Sequence, residues 1–333
     1  MTSLVIQTSF LGDMVLTTPL IAYLAARGPT DVVCTPAASA LLSNNPYVRE
    51  TIVYDKRAAD RGVGGFMRLA STLRARHYDA AYHAQGSSRS SALSTAARIR
   101  DRVGFATSAG RLLYTTRIAP IDNMHHAARL LSLGTRDPLA AMPREQLRPR
   151  LYPGESERAA VDALLGAARG DRLVALAPGS VWATKRWPYY AELSALLRDD
   201  ARIVIVGGEG DRELATAIVA ATNGRAIDAT GKLSLLASAE LIGRCALLVT
   251  NDSAPDHLAS AMNTPTVAVF GPTVPEFGFG PLAERAAVAG HLGLACRPCD
   301  RHGPQKCPLG HWRCMREITA AHVADLSRTI LSS

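Results

Sequence analysis

Residues 177–188 read APGSVWATKRWP and close the apolar run RLVALA. The chain has three tryptophans and four lysines, and two of those tryptophans and one of those lysines fall between positions 182 and 187. Gly179 and Ser180 offer small, hydrogen-bonding backbone to a phosphate. Lys185 adds a point charge where a helix is expected to begin, near Pro188. This is not a Walker loop, because GxxxxGK[ST] is absent and Lys185 follows Gly179 by six residues. The alternative is that both tryptophans pack and Lys185 is solvated. The clustering favours anion binding.

Four more polar stretches have chemistry in reach. In FLGD (10–13), Gly12 would let a ligand approach the backbone and Asp13 could take a proton from a hydroxyl. Position alone favours a plainer role for Asp13, as a first-turn carboxylate complementing a helix dipole. GGEGDRE (207–213) pairs glycines with carboxylates, a pattern suited to ribose hydroxyls and equally to a bare turn. TNDSAPDHLASA (250–261) ends a strand at Asn251, Asp252 and Ser253 and opens a helix whose N–H groups can face a phosphate. His257 stands one turn on from Ser253, on the same face. FGPTVPEFGFGP (270–281) is rigid in glycine and proline and reads as a wall of the site.

A cysteine cluster follows. CRPCDRHGPQKCPLGHWRC places Cys296, Cys299, Cys307 and Cys314 at C-x₂-C-x₇-C-x₆-C spacing, with His302 and His311 among them. In a chain read as cytoplasmic, such spacing favours a structural thiolate metal site, zinc or iron, over disulfides. Four reduced thiols in a compact loop, or a redox-formed disulfide, are the alternative. Cys34 lies in a strand and Cys245 abuts one, so both read as buried hydrophobes.

The elements that must position these residues alternate. Apolar strands at 3–8, 31–36, 51–55 and 79–84 are each followed by a helical pattern, at 12–28, 37–45, 65–77 and 87–99. The pattern restarts with strands at 172–179, 201–208, 246–252 and 265–272 and helices near 188–198, 211–222 and 254–262. Strands that are apolar throughout imply a parallel sheet covered on both faces. The expected fold is α/β, with two doubly wound parallel-sheet domains around a cleft. The proline-rich stretch 147–156 separates 1–150 from 151–315, and 316–333 forms a terminal helix. Every polar cluster above then falls at the carboxyl end of a strand, where such sheets bind ligands.

Composition narrows the partners. Residues 1–150 carry 19 Lys and Arg against 10 Asp and Glu; residues 151–333 carry 18 against 19. The basic half suggests an acidic partner, either a phosphorylated substrate or an anionic membrane surface. Arginine outnumbers lysine 33 to 4, so compositional bias is an alternative source of that charge. No zinc-finger, RNP-like or helix-turn-helix signature accompanies the charge, which argues against nucleic acid. No apolar run is long enough to span a bilayer, and the start of the chain does not read as a signal peptide. No GxGxxG follows the first strand, which argues against a dehydrogenase.

Together, GDMVLTTP, APGSVWATKRWP, TNDSAPDHLASA and FGPTVPEFGFGP resemble the ADP-heptose:lipopolysaccharide heptosyltransferases of glycosyltransferase family 9, nearest the heptosyltransferase II branch. The resemblance implies the GT-B fold, a Rossmann-like pair of domains. It implies inverting transfer of heptose from ADP-L-glycero-β-D-manno-heptose to the inner core of lipopolysaccharide, without a catalytic metal. It places the enzyme in the cytoplasm, at the inner leaflet. The first domain would bind acceptor and the second donor.

By motif, Asp13 matches the catalytic base. Gly12, Ser180, Lys185, Asp211, Asp252, Ser253, Ala254 and His257 match donor-binding positions, Asp211 towards the nucleoside. Arg57, Arg61, Arg98 and Arg102 are candidate acceptor contacts. Many members have glycine where Ala254 precedes Pro255, and only part of the family has the four-cysteine segment. Related transferases that modify proteins carry cysteine-bound iron, so a protein acceptor is a second reading. A non-catalytic ADP-sugar-binding protein is a third.

Overall fold

The computed structural model describes residues 1–137 and 142–332. The chain divides after Tyr152 into two compact units. The first contains β1 (Ser3–Gln7), α1 (Leu11–Ala25), β2 (Thr30–Cys34), α2 (Pro36–Leu41), β3 (Glu50–Val53), α3 (Gly62–Ala75), β4 (Ala80–His83), α4 (Ser88–Ala96), β5 (Asp101–Phe105), β6 (Thr116–Ile118), α5 (His126–Thr135) and α6 (Arg144–Leu147). Its six strands are parallel, in the order β3-β2-β1-β4-β5-β6.

The second unit contains α7 (Glu155–Leu165), β7 (Leu173–Ala177), α8 (Tyr190–Leu197), β8 (Arg202–Ile205), α9 (Arg212–Ala221), β9 (Ile227–Asp228), α10 (Leu235–Gly243), β10 (Leu247–Asn251), α11 (Ala254–Met262), β11 (Thr266–Phe270), β12 (Ala286–Gly290), α12 (Arg313–Arg316) and α13 (Ala320–Ser332). Its parallel order, β12-β11-β10-β7-β8-β9, repeats that of the first sheet. Both sheets are doubly wound. Each reverses its winding direction once, between β1 and β4 and between β7 and β10, and ligands bind at that point in such sheets.

The central strands are apolar because both faces are covered. Leu4, Val5 and Ile6 of β1 and Val174, Ala175 and Leu176 of β7 have no exposed surface. Each fully buried Leu or Ile contributes about 1.5–3 kcal/mol. α1 has little amphipathic pattern for the same reason: Met14, Leu16, Leu20 and Leu24 are all buried around it. Pro19 inside α1 has no N–H for the Val15 carbonyl. Thr18 Oγ1 donates to that carbonyl at 2.8 Å and accepts Arg150 N at 3.0 Å.

Some expected bounds shift. The helix expected to run to Gly28 stops at Ala25, and the chain turns through Gly28 at φ +148°, where a Cβ would lie 2.3 Å from the Met1 carbonyl oxygen. The helix expected over 37–45 ends at Leu41. The terminal helix expected at 316–333 is α13, and its Val323, Ala324 and Ile330 belong to the second unit's core with Leu193 and Leu197 of α8. Cys34 and Cys245 are buried, and burial pushes both thiols up to about 12.

Candidate active site

In the first unit, β1 ends at Gln7 and α1 begins at Leu11, which puts Asp13 in the first turn at the point of reversal. Its side chain is 21% exposed. Ser9 Oγ is 2.7 Å from Asp13 Oδ2 and 2.6 Å from Gln7 Oε1, two acceptors competing for one hydroxyl proton. Gln7 Nε2 donates to the Ala84 carbonyl at 3.0 Å, so β4 fixes the base of this chain of contacts. His126, which opens α5, places Nε2 3.8 Å from Asp13 Oδ1. A carboxylate so oriented and still open to solvent can accept a proton from a bound hydroxyl. Gly12 is buried in the same turn.

Cations collect at the carboxyl end of β3. Lys56 Nζ donates to the Thr8 carbonyl at 3.1 Å, and burial, with Arg57 and Arg89 nearby, lowers its pKa. Arg89 Nε donates to Tyr54 Oη at 2.6 Å, and its guanidinium lies over the Tyr54 and Phe66 rings. Arg57 and Arg61 are exposed beside them. Arg98 and Arg102 are elsewhere. Both sit where β5 begins, in register with the start of β4 and β1, at the amino end of the sheet. Arg102 donates to the carbonyls of Leu113 at 2.7 Å and Ile99 at 2.6 Å, so its charge staples a turn.

The residues of this group missed in the sequence are Lys56, Arg89 and His126. Lys56 carried one usable signal: it is one of four lysines, and it follows a strand. A cavity of about 520 Å³ also lies in this unit, against the second half of α1, lined by Tyr23, Arg27, Tyr47 and Tyr152 and by none of the expected site residues.

In the second unit, β7 and β10 are neighbours, so the loops after Ala177 and Asn251 meet. Asn251 ties the opening loop at both ends. Its Nδ2 donates to the Pro178 carbonyl at 2.9 Å and its Oδ1 accepts Trp187 N at 3.1 Å. Lys185 lies in a single 3₁₀ turn, Ala183–Lys185, and the following helix starts at Tyr190 rather than near Pro188. Its Nζ donates to Asp252 Oδ2 at 2.6 Å, and Thr273 Oγ1 donates to the same oxygen at 2.6 Å. Lys185 is therefore paired and buried, not solvated. It retains two further donors for an anion.

Ser180 is half-buried, with Oγ accepting Trp182 N at 3.4 Å. Trp187 is core: it is 2% exposed, and its Nε1 donates to the Ile318 carbonyl at 2.8 Å. Trp182 instead stacks on His302.

Ser253 occupies the N-cap position of α11 without a side-chain capping bond, and Ala254 and Pro255 open the helix, with the Ala254 N–H at its positive end. Asp256, missed in the sequence, is fully buried with neither carboxylate oxygen hydrogen-bonded. Burial, and then the Asp252 charge, push its pKa well above the usual carboxylate range. Burial thus favours the protonated form of Asp256. His257 is 6% exposed, with Nδ1 3.8 Å from Asp256 Oδ2. Asp211 Oδ2 accepts Gly208 N at 2.9 Å. A Cβ at Gly179 would lie 2.3 Å from Asp211 Oδ1, so Asp211 occupies the space that this glycine leaves open.

The four clustered cysteines are free. Cys296 Sγ is 3.9 Å from His311 Nε2, and Cys299 Sγ donates to the Cys296 carbonyl at 3.4 Å. Burial, with the neighbouring thiols adding, raises Cys314 to about 11 and also raises Cys299. Among the described residues no three His, Cys, Asp or Glu side chains converge as a metal-holding group.

Two doubly wound units of this design are the GT-B fold of heptosyltransferase structures. A model of glycosyltransferase family 9 (heptosyltransferase) matches residues 66–311, and the chain belongs to that family. It is 30% identical over 302 residues to lipopolysaccharide heptosyltransferase 2 of Salmonella typhimurium, covering 86% of each chain. The structure of E. coli ADP-heptose LPS heptosyltransferase II is similar with a TM-score of 0.83 at 27% identity, over 100% of this chain and 99% of that one. The dodecameric iron-containing heptosyltransferase TibC, solved with ADP-D-beta-D-heptose, shares the fold at TM-score 0.59 and 17% identity, over 99% of this chain and 75% of that one.

Proposed function

We propose that this chain transfers heptose from ADP-L-glycero-β-D-manno-heptose to the lipopolysaccharide inner core, on a Kdo or heptosyl-Kdo lipid A acceptor, with inversion. The observation that carries the reading is the Lys185–Asp252–Thr273 cluster at the winding reversal of the second sheet. The full-length similarity to heptosyltransferase 2 supports it.

The second unit holds the donor. Lys185, the backbone at Gly179 and Ser180, and the N-terminus of α11 beside Ser253 and Ala254 receive the diphosphate. His257 lies a turn beyond, and Asp211 serves the nucleoside end. In the first unit, Asp13 accepts the proton of the acceptor hydroxyl. The hydroxyl oxygen bonds to the anomeric carbon as the bond from that carbon to the β-phosphate oxygen breaks. The electron pair leaves on ADP. Preorganised cationic and N–H donors stabilise that charge as it develops, and the reaction requires no cofactor.

Lys56, Arg57, Arg61 and Arg89 suit an acceptor that carries phosphates and carboxylates. The basic first unit also suits the anionic inner leaflet, which supports a peripheral position at the cytoplasmic face. Among the described residues no helix is long and apolar enough to cross a membrane.

The test is acceptor-dependent ADP release from ADP-heptose with heptose-deficient lipopolysaccharide, comparing wild type with Asp13→Asn. The expected result is release by the wild type and a loss of at least a hundredfold in the variant, with ADP binding retained. Tight donor binding without turnover on any such acceptor would overturn the reading.

A further inference from the structure

Residues 291–312, from the end of β12 to the start of α12, contain no helix or strand. A stretch this long without regular structure is uncommon in a compact domain unless it has work to do. Its contacts run to the two loops that carry Lys185 and Thr273. On one side, Gln305 Oε1 accepts Ala183 N at 3.1 Å and its Nε2 donates to the Val181 carbonyl at 3.0 Å. Thr184 donates through its hydroxyl to the Pro304 carbonyl. Gly303, at φ +83°, lies against the Lys185 stem so closely that a Cβ there would be 3.3 Å from Lys185 Cγ and Cε. His302 stacks on Trp182.

On the other side, Arg297 spreads its guanidinium over backbone carbonyls at the end of β11. It donates to Phe270 and Thr273 at 2.9 Å each, and also to Gly271 and His291. Cys299 N donates to the Pro272 carbonyl at 2.9 Å. One irregular segment therefore grips both loops whose side chains converge on Asp252. A lysine in a lone 3₁₀ turn has no helix to aim it, and a threonine after a strand end has no ladder.

We propose that residues 291–312 form a positioning strap for the donor diphosphate site: Gln305 holds the loop that aims Lys185, and Arg297 holds the turn that aims Thr273. This rests on the donor-binding reading of that site. Gln305 and Arg297 touch no reacting atom. They act by keeping the cationic donors where the leaving charge develops.

The experiment compares the full-length wild type with Gln305→Ala, Gln305→Glu and Arg297→Lys, and with Lys306→Ala as an exposed neighbouring control. Hydrogen exchange of the ligand-free chain is followed at residues 181–186, together with ADP affinity, donor KM, kcat and melting temperature. Two hydrogen bonds lost from the loop correspond to about a tenfold effect. Gln305→Ala should speed exchange of the Ala183 amide and raise the ADP dissociation constant and donor KM about tenfold, at unchanged acceptor KM and with the melting temperature lowered by no more than about 2–4 °C.

Gln305→Glu keeps the acceptor for Ala183 N–H and should recover part of the loss. Arg297→Lys cannot fork across several carbonyls and should raise donor KM as well. Lys306→Ala should match the wild type throughout. Wild-type exchange at 181–186 with wild-type donor KM in Gln305→Ala would overturn the strap. A wild type that binds no ADP would overturn the donor reading, while the ligand-free exchange would still decide whether Gln305 holds the loop.

Discussion

Lys185 Nζ and Asp252 Oδ2 are 2.6 Å apart, and about nine-tenths of each side chain is buried. A lysine held by a buried carboxylate is aimed before any ligand arrives. Replacing one partner leaves the other charged and unpaired in a poorly solvated place. Lys185→Ala should therefore have two effects. Stability should fall by about 3–5 kcal/mol, the usual cost of breaking a buried pair from one side. Turnover, measured where the variant is still folded, should fall about 10²–10³-fold, as for the loss of a donor to a developing anion. The double variant Lys185→Met with Asp252→Asn should regain stability and not turnover. Wild-type turnover by folded Lys185→Ala would remove Lys185 from the chemistry.

Asp256 gives a pH dependence with a definite sign. Its folded-state pKa is raised by burial, against about 3.9 in an unfolded chain. Between those two values the native state holds a proton that the unfolded state gives up. The stability from this group is complete below about pH 3.9 and is lost as pH rises towards the folded value. Asp256→Asn removes the titration and keeps the shape. Urea midpoints at pH 5 and pH 8 should show the variant gaining on the wild type as pH increases. A difference that does not change with pH would mean that Asp256 is ionised in the native state.

The repeating strands were legible because a strand covered on both faces is an unbroken apolar run, as in SLVIQ and LVALA. β6, with three residues, and β9, with two, are too short to carry a period. β12, AAVAG, sits at the sheet edge and is partly exposed, so it has neither alternation nor branched bulk. Lys185 and Asp252 stood out because each lies in a polar cluster after a strand end, whereas Asp13 was singled out only by its family motif. The Thr273 hydroxyl on Asp252 did not, since Thr273 lies 21 residues on in a loop whose position depends on Arg297. Arg98 and Arg102 lie at the amino end of the sheet, which the sequence could not show: it gives a basic run between a helix and a strand but not which end of the sheet the run marks.

That placement separates two kinds of basic residue. Arg102 is committed to the carbonyls of Leu113 and Ile99. Arg102→Ala should lower stability by about 1.5–3 kcal/mol, the range for hydrogen bonds to a charged group, and leave acceptor KM unchanged. Lys56→Ala, at the other end of the sheet beside Thr8, should raise acceptor KM several-fold with donor KM unchanged. Steady-state kinetics with each substrate varied in turn reads both effects. A rise in acceptor KM for Arg102→Ala alone would reverse the assignment.

Gly179 tests the donor loop without touching a charge. A Cβ built there would come within 2.3–2.5 Å of the carboxylate atoms of Asp211, well inside contact distance. The carboxylate is not free to swing away without loss, because its Oδ2 also accepts Gly208 N at 2.9 Å. Relieving the clash means moving the loop after β7, the turn after β8, or both, and each lies at the carboxyl edge of the second sheet. Gly179→Ala should therefore weaken ADP binding by an order of magnitude or more, the scale of one lost charge-assisted hydrogen bond. The double variant Gly179→Ala with Asp211→Ala clears the space without restoring the carboxylate. It should bind ADP like Asp211→Ala alone. If the double variant is weaker than Asp211→Ala, the methyl group itself occupies ligand space, and Gly179 contacts the donor directly.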